Sequence, residues 1–163
     1  MTNTTHMDLL SVFRQHMRDQ GLDNPDSHLL LAVSGGIDSV VLAHLCKVSG
    51  YLFTIAHCNF RMRGEESNGD EKFVSGLAQR LAVPFLSKGF DTAAYASSNK
   101  LGIQEAARVL RYEWFDQLLS GEAGAGPFRM LLTAHHADDN IETLLMNFFK
   151  GTGINGLQGI RSR

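Results

Sequence analysis

The sequence predicts an α/β protein built as a three-layer sandwich, in which helices flank a parallel sheet on both sides. Short apolar runs alternate with helical stretches along the chain. This order of strand and helix favours parallel strands that are joined by right-handed helical crossovers. The length of 163 residues suits one domain with its own core and is too short for two domains that each have a sizeable core.

The first half of the chain predicts a helix, a strand, a helix, a strand and a helix, at residues 8–20, 29–33, 38–48, 51–57 and 66–81. The first segment is amphipathic, and the strands are short apolar runs of the kind that a sheet buries. The last of these helices is predicted to present one apolar face, made of Phe73, Leu77, Ala78 and Leu81.

The second half predicts a strand, a helix, a strand and a helix, at residues 83–87, 103–119, 129–134 and 138–150. The segment 103–119 is the clearest helix, because apolar residues recur along it every three or four positions as one continuous stripe: Ile103, Ala107, Leu110, Trp114 and Leu118. Residues 121–127, which include three glycines and a proline, are expected to form a surface connection.

The composition excludes several classes of protein. With 44% hydrophobic and 20% charged residues, the chain has the profile of a soluble globular protein. No apolar run approaches the roughly 20 residues that cross a bilayer. Two cysteines, Cys46 and Cys58, offer no disulfide framework, so we expect a cytoplasmic protein without membrane association. The net charge of −2 argues against the whole chain attracting nucleic acid electrostatically.

A glycine-rich string lies between the first strand and its helix, where open parallel sheets bind ligands. It consists of Ser34, Gly35, Gly36, Ile37, Asp38 and Ser39. The glycines let backbone N–H groups approach an anion, and the positive end of the following helix adds to this attraction. The serine hydroxyl groups add two donors. We therefore expect a phosphate-binding loop.

Asp38 is the informative residue of this loop. A carboxylate beside phosphates is repelled unless it holds Mg²⁺, which prefers oxygen ligands and bridges to phosphates. The loop has neither the G-x-x-x-x-G-K-[ST] spacing of a Walker A site nor G-x-G-x-x-G. The alternative is a tight turn in which Asp38 only caps the helix.

Three further strings carry candidate residues. Arg108 and Arg111 lie one turn apart on helix 103–119 and suit phosphate recognition, or are ordinary surface arginines. His135 and Asp139 belong to a cluster of histidines and acids that follows the fourth strand. Asp139 is a candidate second Mg²⁺ ligand, and the alternative is an acid that only stabilises the start of a helix. Residues 151–159 contain four glycines, which indicates close backbone packing on a ligand.

The string S-G-G-x-D-S resembles the signature of the PP-loop ATP pyrophosphatases, whose fold is similar to that of the adenine nucleotide alpha-hydrolases. Its combination with residues 59–67, 105–112, 135–143 and 151–159 resembles the N-terminal domain of tRNA(Ile)-lysidine synthases, from about residue 29 to residue 160. The resemblance implies that Asp38 and Asp139 are catalytic and bind Mg²⁺. It also implies that Arg108 is the catalytic arginine at the phosphates, with Arg111 as the alternate.

The same resemblance implies that the backbone at Ala56 and His57, together with His135, borders the ATP. The alternative for His57 is an ordinary histidine at the end of a strand. The implied reaction adenylates oxygen 2 of the anticodon cytidine in tRNA(Ile) with a CAU anticodon. Free L-lysine then displaces AMP. Residues 29–163 are the expected catalytic domain, preceded by a helical lead-in at residues 1–28, whose first seven residues are a candidate for an added, non-native leader. The C-terminal tRNA-binding domains of the family are expected to be absent, and the oligomeric state stays open, with a homodimer as one option.

Two other classes remain open. Another PP-loop adenylating enzyme shares the loop. A tRNA thiolase typically needs paired cysteines or a persulfide-carrying cysteine, and no C-x-x-C occurs in the chain. An amide synthetase does not explain the other three strings. A non-catalytic nucleotide-binding module needs the glycines and has little need of Asp38 together with Asp139.

Overall fold

The structure, a computed structural model, describes residues 8–24, 26–62, 65–122, 124 and 128–134, with the backbone alone at residues 65 and 66. In chain order its elements are α1 (Leu9–Asp19), β1 (His28–Ala32), α2 (Ile37–Val48), β2 (Leu52–Asn59), α3 (Glu65–Leu81), β3 (Phe85–Gly89), α4 (Thr92–Asn99), α5 (Ile103–Leu119) and β4 (Met130–Thr133). Within these ranges, no helix combines the length and the apolar character that crossing a membrane requires. The helix predicted at residues 138–150 lies outside the described residues.

The four strands form one parallel sheet in the order β3-β2-β1-β4. From β1 the chain adds β2 and β3 on one side and then returns to place β4 on the other side of β1. The direction of winding therefore reverses between β1 and β4. In open α/β sheets, ligands bind at such a reversal, beyond the carboxyl ends of the strands.

Each face of the sheet has its own apolar core. Alternate residues of β1 point to opposite faces, with Leu29 and Leu31 on one and Leu30 on the other. The first face packs against α1, α2 and α3, and the second packs against α5. This arrangement confirms the three-layer α/β sandwich.

The second and third strands begin later than the sequence predicts, because the preceding residues close helices. Tyr51 donates its backbone N–H to the carbonyl of Cys46 at the end of α2, and β2 begins at the next residue. Val83 does the same to Ala78 at the end of α3, after Ala82 has taken a φ of +51°. As a result β3 starts at residue 85 rather than 83.

Three details of the helices correct the sequence prediction. Helix α4 was not predicted, and Asp91 begins it by accepting a hydrogen bond from the backbone N–H of Ala94 at 3.1 Å. Phe73 is 47% exposed, and Val74 takes its place on the buried face of α3. Ile103 is 43% exposed because it opens α5, so the buried stripe of this helix starts one turn later.

Candidate functional site

The predicted phosphate loop joins β1 to α2 at the carboxyl end of the sheet. Ser39 Oγ donates to the carbonyl of Gly36 at 2.8 Å, and the N–H of Gly36 donates to Ser34 Oγ at 3.3 Å. Gly36 is the N-cap of α2 and, as a glycine, makes no side-chain hydrogen bond to this end of the helix. The turn therefore presents backbone donors at a positive helix end, as an anion site requires.

Gly35 is the loop position that needs glycine. Its φ is +99°, in the region that L side chains rarely adopt. A Cβ at this position would stand 3.6 Å from Cγ2 of Val74 and 3.8 Å from Oδ1 of Asp70. The loop therefore rests on α3, and this contact brings the Asp70 carboxylate close to the loop.

A cavity of about 310 Å³ opens beside the loop where the winding of the sheet reverses. The ends of β1, β2 and β4 and one side of α5 enclose it. Its lining residues are Ala32, Val33, Ser34, Ser39, Ala56, Cys58, Phe60, Arg111, Phe115 and Ala134. Four of the predicted site residues therefore meet here: Ser34, Ser39, Ala56 and Arg111.

Arg111 reaches the cavity from α5 on top of an aromatic pair. Its guanidinium carbon lies 5.1 Å from the ring centre of Phe60. Phe60 in turn stacks on Phe90 at 5.4 Å and 20°. A cation over an aromatic face is attracted to the ring and is held in position by it. The cavity therefore carries a positioned positive charge.

Arg108 lies one turn earlier on α5 and is exposed. Its guanidinium carbon is 5.9 Å from the ring centre of Tyr112, and it does not line the cavity. Of the two arginines in the prediction, the structure brings Arg111 to the other site residues.

His57 points away from the cavity. Ala56 and Cys58 line the cavity, whereas the His57 side chain lies on the opposite face of β2 and is 3% exposed. Its Nδ1 donates to the carbonyl of Val33 at 2.8 Å. The imidazole is thus a buried strand-end side chain, and a contact between the His57 backbone and adenine stays a prediction.

The two thiol groups are poorly suited to nucleophilic chemistry. Burial raises the pKa of the Cys58 thiol to about 12, although the charges of Arg111 and Lys88 partly oppose this shift. Burial also raises the pKa of the Cys46 thiol. Because the thiolate is the reactive form, both side chains remain unreactive thiols at neutral pH.

The part of the loop that would hold Mg²⁺ has suitable chemistry. Asp38 is half-buried in the first turn of α2, close in sequence to the hydroxyl groups of Ser34 and Ser39. Mg²⁺ takes oxygen ligands and commonly uses only one or two carboxylates together with substrate phosphates. Among the described residues there is no group of three or more His, Cys, Asp or Glu that could enclose a metal. The Asp38 carboxylate and the two serine hydroxyl groups are oxygen ligands of the kind that Mg²⁺ takes. Asp139 and His135 lie outside the described residues.

Comparison with known proteins decides the family. The sequence model of the PP-loop domain matches residues 5–163, nearly the whole chain. The chain belongs to the PP-loop domain family.

This PP-loop domain is similar to curated proteins named tRNA(Ile)-lysidine synthase. The protein from Bacteroides thetaiotaomicron is 45% identical over 149 residues, which cover 91% of this chain and 34% of that protein. The protein from Chlorobaculum tepidum is 44% identical over 155 residues, which cover 93% of this chain and 46% of that protein. The chain thus spans between a third and a half of the length of these relatives.

Among solved structures, the domain is similar to the NH3-dependent NAD synthetase from Campylobacter jejuni. The TM-score is 0.55 at 15% identity, over 77% of this chain and 56% of that chain. At this identity the likeness concerns the fold alone, and it agrees with the parallel sheet flanked by helices.

Three side chains of the site in this PP-loop domain were not singled out from the sequence. Phe60 and Phe115 line the cavity, and Asp70 approaches Gly35 from α3. Phe60 follows directly on the second strand, so its nearness to the strand ends was a usable signal. Asp70 carried no such signal, because its position depends on how α3 packs on the loop.

Proposed function

We propose that this PP-loop domain binds ATP with Mg²⁺ and is the adenylating part of a tRNA(Ile)-lysidine synthase. The observation that carries the proposal is the loop from residue 34 to residue 39, whose Ser34 and Ser39 line the cavity at the reversal of the sheet, with Arg111 on the cavity wall. Family membership and the names of the curated relatives support the same reading.

The proposed reaction has two steps. Oxygen 2 of the anticodon cytidine of tRNA(Ile) attacks the α-phosphorus of ATP, and the bond to the β-phosphate breaks to release pyrophosphate. The amine of free L-lysine then forms a bond to carbon 2, the carbon–oxygen bond breaks, AMP leaves with that oxygen, and the amine loses a proton. Adenylation is necessary because a cytosine carbonyl oxygen is otherwise a poor leaving group. Because tRNA is the proposed substrate, we place the protein in the cytoplasm.

Each part of the site has a role in this proposal. Backbone N–H groups of the loop, from Ser34 to Ser39, bind the phosphates that leave as pyrophosphate. Arg111 stabilises the negative charge that builds up on them. Asp38, and Asp139 by resemblance, would hold Mg²⁺, which neutralises phosphate charge when it is bound.

The thiol chemistry argues against a tRNA thiolase. Such an enzyme needs an activated cysteine, and burial keeps both Cys46 and Cys58 protonated. We therefore expect Cys58→Ser to retain pyrophosphate release. Loss of activity in Cys58→Ser, with a sulfur-containing tRNA product from the unaltered protein, would favour thiolation instead.

Product analysis tests the proposed function. The chain, with the C-terminal region of a relative supplied in trans, is incubated with α-labelled ATP, Mg²⁺, lysine and tRNA(Ile) with a CAU anticodon. The expected products are AMP, pyrophosphate and lysidine-containing tRNA. ADP as the nucleotide product would contradict cleavage at the α-phosphorus, and ATP binding without turnover would favour the non-catalytic module.

A further inference from the structure

Val33, the last residue before the phosphate loop, is tied to β2 through both of its backbone polar groups. Its N–H donates to the carbonyl of Ala56 at 3.0 Å, which continues the pairing of β1 with β2. Its carbonyl accepts a hydrogen bond from Nδ1 of His57 at 2.8 Å. An imidazole thus supplies the donor at the point where the backbone ladder between the two strands ends.

This hydrogen bond is protected from solvent. The His57 side chain is 3% exposed, and it follows Phe53 and Ile55 on the buried face of β2. Because a carbonyl can only accept, Nδ1 carries the proton. Leaving this donor and its acceptor unpaired in a buried site would cost the desolvation of both groups. The bond is therefore a persistent part of the folded protein.

The same bond sets the direction of the first donor of the loop. In a trans peptide the C=O of one residue and the N–H of the next lie in one plane and point in opposite directions. The described part of the chain has no cis peptide bond, and the Val33 carbonyl points towards β2. The N–H of Ser34 therefore points away from β2, towards the β4 side of the cavity, which Ser34 and Ala134 line.

We propose that His57 is a positioning residue that directs the Ser34 N–H into the phosphate site. It acts through the Val33–Ser34 peptide and does not touch the nucleotide with its side chain. The inference rests on the proposed binding of ATP by the loop.

Helix α3 supports the loop on the face of the sheet where the His57 side chain lies. Asn59, two residues after His57, donates to Oε2 of Glu71 on α3 at 2.7 Å. Val74, on the same helix, lies against Gly35. The end of β2 and helix α3 therefore form one framework, and His57 connects that framework to the first peptide of the loop.

Two substitutions of His57 distinguish a role in positioning the Ser34 N–H from a role in core packing alone. The side-chain nitrogen of Asn stands where Nδ1 stands in His, whereas that of Gln stands where Nε2 stands. We expect His57→Gln to weaken binding of Mg-ATP and of pyrophosphate by about tenfold, because one donor to a charged ligand is misdirected. Adenosine, which has no phosphate, should bind as it does to the unaltered chain. His57→Asn should restore most of the pyrophosphate affinity.

Isothermal titration of the whole chain with these three ligands gives the readout, and thermal unfolding reports on folding. Native pyrophosphate affinity in His57→Gln would overturn the inference. Equal losses for pyrophosphate and adenosine in both variants would also overturn it, since they indicate a purely structural role. If the unaltered chain binds neither ATP nor pyrophosphate, the proposed function itself fails, and the inference fails with it.

A measurement on the unaltered chain avoids any loss of folding in the variants. Nitrogen NMR of the imidazole should show a protonated Nδ1 in slow exchange with water. The amide signal of Ser34 should be among those that shift most when pyrophosphate is added. A His57 ring without a proton on Nδ1, or a Ser34 amide that does not respond, would contradict the proposed positioning.

Discussion

Arg111 and Arg108 occupy similar places in the sequence and different places in the molecule. Both lie off the apolar stripe of α5, so spacing alone does not separate them. The aromatic pair of Phe60 and Phe90 holds Arg111 at the cavity, whereas Arg108 is exposed beside Tyr112. We therefore propose that the role at the phosphates, which the resemblance gives to Arg108, belongs to Arg111.

Matched substitutions test this assignment. We expect Arg111→Met to lower the rate of pyrophosphate release by about a hundredfold, because a positioned charge on the leaving group is lost. Arg108→Met has the same change in size and charge and should have a much smaller effect. Steady-state kinetics with saturating ATP provide the comparison. A larger loss in Arg108→Met would return the role to Arg108.

Glu71 links the end of β2 to α3 through its charge. Hydrogen bonds from Ser87 and Asn59 lower the pKa of the Glu71 carboxyl group, and the charges of His57 and Arg61 lower it further. Because the pKa of Glu71 is lower in the folded state, the ionised carboxylate stabilises the folded protein at pH values above 4.5, the pKa of the group in the unfolded chain. This stability is lost as the pH falls through the folded pKa.

Glu71→Gln should therefore lower the free energy of unfolding near neutral pH, by about 1 kcal/mol or less because the Glu71 side chain is only partly buried. The difference from the unaltered chain should shrink as the pH falls below 4.5 and through the lowered folded pKa, because the carboxylate then becomes protonated in both states. Urea unfolding at two pH values measures this, with the exposed Glu122→Gln as the control. A difference that is the same at both pH values would contradict the electrostatic explanation.

Among the elements, helix α5 has the bounds that its spacing predicts, because a long apolar stripe is a strong signal. Helix α4 was missed because its sequence has no such stripe and buries only Thr92 and Ala96. The start of β3 was also misplaced. The residue that closes α3 with a positive φ is Ala82, which lacks the signal that a glycine would give.

The candidate site also has a part that the sequence predicts and a part that it does not. The loop from residue 34 to residue 39 was predictable, since its residues are contiguous and their chemistry is specific. The orientation of His57, the choice of Arg111 and the approach of Asp70 were not, because each depends on contacts between elements that are distant in sequence. Sequence spacing describes one element at a time.

Asp91 provides a test at the scale of an element. Its side chain accepts a hydrogen bond from the N–H of Ala94 and so caps α4. Asp91→Ala should lower the free energy of unfolding by about 1 kcal/mol, the usual cost of losing such a cap. Asp91→Ser keeps an acceptor and should lose less, and neither variant should change ATP affinity. Equal stability of the two variants would contradict a capping role.

At the scale of the whole molecule, the net charge of the chain bears on the proposed binding of tRNA. A net charge of −2 gives little general attraction for a polyanion. We expect the chain alone to bind tRNA(Ile) only in the range of non-specific complexes, on the order of 10⁻⁴–10⁻⁶ M. It should not complete lysidine formation until the C-terminal region of a relative is added in trans. Fluorescence anisotropy measures the binding of tRNA, and product analysis measures the formation of lysidine. Robust lysidine formation by the chain alone would contradict this expectation.

The most direct test of the central claim is ATP–pyrophosphate exchange with Mg²⁺, with the C-terminal region supplied in trans. We predict exchange that requires tRNA(Ile) with a CAU anticodon and is lost when the anticodon cytidine is replaced by uridine. Asp38→Asn should lower it by about a hundredfold, if the carboxylate holds Mg²⁺ at the phosphates. Asp26→Asn, in the exposed turn before β1, should match the unaltered chain. Exchange that ignores the cytidine, or ATP binding without exchange under any tRNA, would contradict the claim.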